Sequence, residues 1–248
     1  MAAKASTVWY VDAPDPHAVL RERPEPDHDA AQALAGRLFP DRTAVPTSNA
    51  PLSAAAGVVG NEIFIGSYPG LTVVCAPQLA LPRPSELPED WVRPLASEHT
   101  YLVAFDPRHE WGSFATWERG ALRRSFSASN VHILEDQGLP PVWERPFWAG
   151  EHPIAPVAGV LPDPQSLPFD PQLFADAANR RWLGFGYLPA ADAEGPQPDS
   201  IVVTGFALYR AGEVPHQTAV RQQQQQRQPQ AADAPTAPRR KWSWRRNT

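Results

Sequence analysis

Proline occupies 30 of the 248 positions, more than twice the ~5% of average usage. Each proline fixes φ and removes a backbone donor, so long uninterrupted helices and extended central strands are hard to build. The chain is therefore expected to fold as many short elements joined by rigid loops, and a helical bundle is disfavoured. With 42% apolar and 10% aromatic residues, it still has enough buried-type surface for a proper core.

The local signals fit an α+β fold. Ser6-Thr-Val-Trp-Tyr-Val11 is β-branched and aromatic with little polar alternation, which predicts a central strand. Asp15-Pro16 is an N-cap followed by a first-turn proline, opening a short helix through Arg21. A second helix is predicted from near Asp27 to Phe39, stopped by Pro40. After a polar stretch, Glu62–Tyr68 and Leu71–Cys75 flank a Pro69-Gly70 turn and read as a hairpin. The proline-rich segment 77–94 reads as a surface loop with one short helical candidate, Ser85 to Arg93.

Thr100–Phe105, Gly112–Glu118 and Ala121–Ser127 read as an antiparallel meander, with Arg119-Gly120 as the tight turn between the last two. Val131–Leu134 adds a fourth strand ending at Glu135-Asp136-Gln-Gly138. Residues 139–171 read as a long loop. Asp170-Pro171 then opens a helix through Trp182 with Leu173, Phe174, Ala177 and Ala178 on one face. Ser200–Tyr209 is a closing strand. The expected fold class is α+β, a mainly antiparallel sheet with a few short packed helices, in a single domain over residues 3–210.

Beyond residue 210 the composition changes in kind. Gln222–Gln226 is an unbroken glutamine run among Gln, Arg, Ala, Pro and Thr, a composition too polar to offset the entropy of ordering. A disordered tail over 211–248 is expected. The tail carries a net charge of +5 and residues 1–210 a net of −10. That asymmetry argues against nucleic-acid binding by the body. In the tail, Arg239, Arg240, Lys241, Arg245 and Arg246 surround Trp242 and Trp244, which suits contact with a polyanion, a membrane surface or the acidic body, or a solvated end with no partner.

Cys75 is the sole cysteine, which excludes an intramolecular disulfide and a multi-cysteine zinc site, and it reads as a small buried strand residue. Lysine occurs only at 4 and 241, so the abundant arginines reflect compositional bias rather than phosphate binding. No phosphate loop, nucleophile elbow, metal quartet or dinucleotide fingerprint is present, and no cofactor or metal ion is implied. Without a leader-like start or an apolar stretch of spanning length, the expected compartment is the reducing cytoplasm.

Several strings set the chain apart: Ala3–Asp12, Tyr68–Cys75, Trp117-Glu-Arg-Gly-Ala-Leu-Arg-Arg124, Ile133–Asp136, Phe147-Trp-Ala-Gly-Glu-His-Pro153 and Leu167–Asp170. In these the chain resembles an uncharacterised actinobacterial family, a domain of unknown function of about this size. The resemblance covers residues 3 to about 209 and implies a single domain in a cytoplasmic bacterial setting, with no established activity.

Two constellations carry candidate chemistry. Trp117, Gly120, Leu122 and Arg124 form WxxGxLxR; in a regular hairpin Leu122 and Arg124 share a face beside Trp117. Read functionally, Arg124 beside an aromatic plate holds an acidic group by a bidentate contact; read structurally, the tryptophan packs on the arginine stem. Glu151 and His152, next to Trp148 and with Glu135, Asp136 and Glu144 nearby, read either as acid/base or ligand residues or as an ordered loop packed by tryptophan. His99, Tyr101, Asp106, Arg108 and His109 are polar groups near an aromatic surface, for which a polar turn is the simpler account. Asp12 ends the first strand, where carboxylates serve ligands in parallel α/β sheets.

The leading functional expectation is a non-catalytic binding or interaction protein, of the immunity-protein sort, whose acidic, tryptophan-rich body captures a basic partner. The alternative is a hydrolase or metal-dependent transferase using Glu151 and His152.

Overall fold

Every residue of Ala5–Val11 (β1) is buried, because this strand lies at the centre of a sheet covered on both faces. A computed structural model describes residues 4–155, 159, 163–189 and 195–210. The other strands are Arg42–Pro51 (β2), Glu62–Tyr68 (β3), Leu71–Cys75 (β4), His99–Asp106 (β5), Trp111–Glu118 (β6), Ala121–Ser129 (β7), Ile133–Gly138 (β8) and Val202–Arg210 (β9). They form one nine-stranded sheet in the order β2-β9-β3-β4-β1-β5-β6-β7-β8. Every pairing is antiparallel. The fold is thus the α+β, mainly antiparallel arrangement that the strand pattern predicts.

Helices cover both faces. Pro16–Arg21 (α1), His28–Leu38 (α2), Leu52–Ala55 (α3), Glu89–Val92 (α4), Arg145–Trp148 (α5) and Pro171–Leu183 (α6) are all short, as the proline content demands. Three N-caps are side-chain carboxylates: Asp15 accepts from the Ala18 N–H, Asp27 from Ala30, and Asp170 from Gln172 and Leu173. They satisfy amides that have no partner inside the helix. On one face Trp9, Phe105, Phe114 and Phe126 pack with Phe174 and Ala178 of α6. On the other, Val8, Tyr10, Leu102 and Trp117 pack with Ala31, Leu34 and Ala35 of α2. Alternation along β1 thus serves two cores at once.

Several elements differ from the sequence expectation. The polar stretch before residue 62 contains β2, a ten-residue edge strand with Pro46 inside it and a register shift between Pro46 and Asn49. An exposed edge strand needs no apolar period and tolerates proline. The fourth meander strand is Ile133–Gly138 rather than Val131–Leu134, because the carboxylates of Glu135 and Asp136 have partners on β7 and count as strand residues. The helix proposed for 85–93 is a 3₁₀ turn, Pro84–Glu86, followed by α4. Residues 139–171, read as loop, also hold a 3₁₀ turn, Val142–Glu144, and α5. On α6 the buried face is Phe174, Ala175 and Ala178, while Leu173 is 40% exposed. The disorder and the Arg239–Arg246 contact expected for the tail lie outside the described residues.

Where α6 begins, a glycine sets its height over the sheet. A Cβ on Gly112 of β6 would run into the backbone carbonyl of Pro171. Gly112→Ala is therefore expected to cost about 3 kcal/mol, since the start of a packed helix must move. Gly36, in α2, has nothing within 4 Å of the same position, and Gly36→Ala should gain about 0.5–1 kcal/mol. Denaturant midpoints of the two variants against the parent check both signs.

Candidate functional site

The β6–β7 hairpin turns through Arg119 (φ 50°) and Gly120 (φ 84°), the pair of positive φ values that a two-residue hairpin loop takes. Just beyond the turn the register slips. Trp117 pairs with Leu122 and Thr116 with Arg124, leaving Arg123 as an extra residue. This β-bulge overturns the expectation that Leu122 and Arg124 share a face, because a period-two count fails when one residue is inserted. Trp117 and Leu122 go to the α2 side of the sheet. Arg124 faces the α6 side, with its guanidinium carbon 6.0 Å from the Phe114 ring centre and 5.7 Å from that of Phe126.

Arg124 is 2% exposed and Glu144 is fully buried. The guanidinium grips the carboxylate with two parallel bonds, Nε to Oε1 and Nη2 to Oε2, both 2.9 Å. Its Nη1 donates to Asp136 and, at 3.0 Å, to the Gln137 carbonyl. Burial by itself lowers the guanidinium's pKa, but the bonds and charges of Glu144 and Asp136 outweigh it and hold the value above normal. The Trp148 indole N–H donates to Glu144 at 3.3 Å, and its ring packs edge-on against Phe169 and Phe126. The acidic group facing Arg124 is thus one of the chain's own, which ties the 142–148 segment to the sheet.

Glu135 lies on the opposite face, where it accepts from the Ser85 N–H (3.0 Å), the Ser85 and Ser125 hydroxyls and the Gln137 amide (2.9 Å). Glu151 and His152 are exposed. Their loop is held by backbone bonds, Glu151 N–H to the Pro146 carbonyl and Asp170 N–H to the His152 carbonyl, and the imidazole stacks on Phe147 at 4.2 Å. The structure does not bring Glu135, Glu144, Glu151 and His152 into one site. Asp106 gathers Lys4, Arg108 and His109 around itself, and the Arg108 side chain, followed by its backbone N–H, holds the carboxyl far below its ordinary range. Burial pushes the Cys75 thiol far up. Among the described residues, no group of three His, Cys, Asp or Glu side chains is placed to hold a metal ion.

A cavity of about 640 Å³ opens instead at one end of the sheet, on the α6 side. Its floor follows the sheet register: Tyr101 pairs with Thr116 and Thr116 with Arg124, which sets three lining side chains on adjacent strands. His99 lies one rung further along β5. Trp182 from the last turn of α6 stacks on Tyr101 (4.6 Å between ring centres, 12° between planes), and His99 is near-parallel to Tyr101 (5.9 Å, 11°). Trp143 meets Trp182 edge-on. Burial, followed by the Glu118 charge, raises the Tyr101 phenol, so it stays protonated at neutral pH.

Charges line the same cavity. Arg123, aimed there by the bulge, pairs with Glu118 at 2.9 Å, and Glu98 pairs with Arg119 at 2.8 Å. Asp12 accepts the Glu98 N–H at 2.7 Å. Among the described residues Asp12 and Arg181 are in no ion pair. Of these lining groups the sequence pointed to Asp12, His99, Tyr101 and Arg124. It missed Arg123, whose aim depends on the bulge, and Trp143, Arg181 and Trp182, which meet the sheet only through tertiary packing. A signal for Trp182 existed, since it sits four residues after Ala178 on the face predicted to be buried.

Compared with known proteins, the chain matches the model of a family described as a family of unknown function (DUF6928) over residues 5–206. No curated protein and no solved structure matches it.

Removing the buried partner of a buried charge leaves it undercompensated, here with only the half-exposed Asp136 facing Arg124. Glu144→Ala is therefore expected to cost about 3 kcal/mol of stability, whereas Arg124→Met combined with Glu144→Leu should recover most of that loss, as read from chemical denaturation. If the double variant is as unstable as the single one, the cost lies in packing and not in the stranded guanidinium.

Proposed function

The chain belongs to this family of unknown function, and we propose that its body is a non-catalytic binding protein whose recognition site is the cavity between the end of β1, the start of β5 and the last turn of α6. One observation carries this reading: the Tyr101–Trp182 stack lines the same opening as Asp12 and Arg181, which are in no ion pair among the described residues. Aromatic rings offer area and shape with little side-chain entropy to lose, and a few charges fix orientation, which is the usual make-up of a ligand pocket.

Two of the carboxylates first considered for catalysis support the same reading. Glu144 is taken up by Arg124 and Trp148, and Glu135 by Ser85, Ser125 and Gln137; both serve as structural ties. No helix among the described residues is long and apolar enough to cross a membrane. The net charge of −10 on the first 210 residues steers positively charged groups toward the body. Capture of a basic protein, as an immunity protein does, is one form that such binding takes.

The test is native mass spectrometry of the full chain isolated gently from its own host, with His99→Ala and Arg181→Glu variants in parallel. Both positions are on the surface or partly exposed, so the melting temperature should change little. A species held by the parent and lost from both variants is the expected result. A species held equally by all three, or none at all, counts against the cavity as the recognition site.

A further inference from the structure

The charges on the cavity wall are not equivalent. Arg124 is neutralised by Glu144 and Asp136, Arg123 by Glu118, and Glu98 by Arg119. Each of these lining charges is satisfied by its own neighbours and has little left for a ligand. Two fully charged side chains remain without an ion pair among the described residues, and they are of opposite sign: Asp12 and Arg181. Asp12 follows β1 and is positioned through one oxygen by the Glu98 N–H at 2.7 Å, which leaves the other oxygen available. Arg181 stands beside Trp182 in the last turn of α6, where its neighbour Arg180 is already engaged by Asp176 at 2.9 Å.

Both side chains line the same cavity without meeting each other. Unlike charges on one concavity would gain by pairing, so a ligand presenting both signs gains from each. The near-parallel rings of His99, Tyr101 and Trp182 line the same cavity and favour a flat group.

On the reading that this cavity is a binding site, we infer that its ligand is a small zwitterion with a flat side group, of the free aromatic amino acid class. The Asp12 carboxylate takes the ammonium and the Arg181 guanidinium the carboxylate, by charge-assisted hydrogen bonds. The aromatic rings take the side group. A volume of about 640 Å³ is ample for such a molecule and lies in the range of small-ligand pockets.

Four related probes separate the parts of this inference: L-tryptophan, tryptophanamide without the anion, N-acetyltryptophan without the cation, and indole with neither. Titration calorimetry on the full chain should rank L-tryptophan first, with a loss of about tenfold or more for removing either charge. Arg181→Gln should bring L-tryptophan down to the level of the amide and leave the amide unchanged. Asp12→Asn, which keeps an oxygen for the Glu98 N–H, should bring it down to the level of the N-acetyl form.

If the amide or the N-acetyl form binds as well as L-tryptophan, or if neither substitution discriminates among the probes, the zwitterion assignment is overturned. If none of the probes binds while native mass spectrometry still finds a species that depends on His99 and Arg181, the assignment falls and the binding reading stands. If that species is missing too, both fall.

Discussion

A guanidinium cannot be buried without partners, and much of the organisation at the β7 end of this molecule answers that requirement. Arg124 lies among Phe114, Phe126 and the other rings of the α6-side core. Removing its charge from water is worthwhile only if its donors are met with good geometry. Glu144 meets two of them in a parallel fork, and Asp136 and the Gln137 carbonyl meet a third. Because Glu144 belongs to the segment before α5, the ion pair fixes a stretch with no regular period against the sheet. Trp143 is the residue just before Glu144, so the pair that secures the segment also places one wall of the cavity.

The bulge beside Arg124 makes this geometry available. One extra residue in β7 sends Leu122 to the α2-side core and brings both Arg123 and Arg124 toward the α6 side. A regular strand would alternate them, leaving one of two consecutive arginines on the wrong face. Gly112 contributes at the other end of α6. By letting the Pro171 backbone approach β6 closely, it lays the helix low over β5 and β6, so that in the last turn of the same helix Trp182 reaches Tyr101 in stacking contact.

What the sequence revealed follows from which interactions are local. Caps such as Asp15-Pro16 and Asp170-Pro171, the Pro69-Gly70 and Arg119-Gly120 turns and the apolar run of β1 are settled by neighbours along the chain, and each was legible. Strand β2 was not, since an exposed edge needs neither apolar alternation nor the absence of proline. Nor was the end of β8, since Glu135 and Asp136 look like a polar stop until their partners Ser125 and Arg124 are known. The bulge itself escaped because period-two reasoning assumes that no residue is inserted. Arg124 was legible as a residue that grips a carboxylate, but not that the carboxylate would be Glu144, twenty residues away, nor that Trp117 would end up on the opposite face.

Asp12 was singled out by analogy with parallel sheets, where ligands gather at the carboxyl ends of strands. The sheet is antiparallel throughout, and a different rule places Asp12 at the cavity. In an antiparallel pair the end of one strand lies beside the start of the next, so the end of β1 at Val11 meets the start of β5 at His99, which in turn meets the end of β6 at Glu118. Residues far apart in the chain, Asp12, Glu98, His99 and Arg123, therefore emerge at one end of the sheet. The helix that starts over Gly112 finishes there and adds Arg181 and Trp182. Strand starts and strand ends alternate along that end, where a parallel sheet would present strand ends alone. That is how a sheet with no recognisable catalytic motif comes to hold charges of both signs around a stack of aromatic rings.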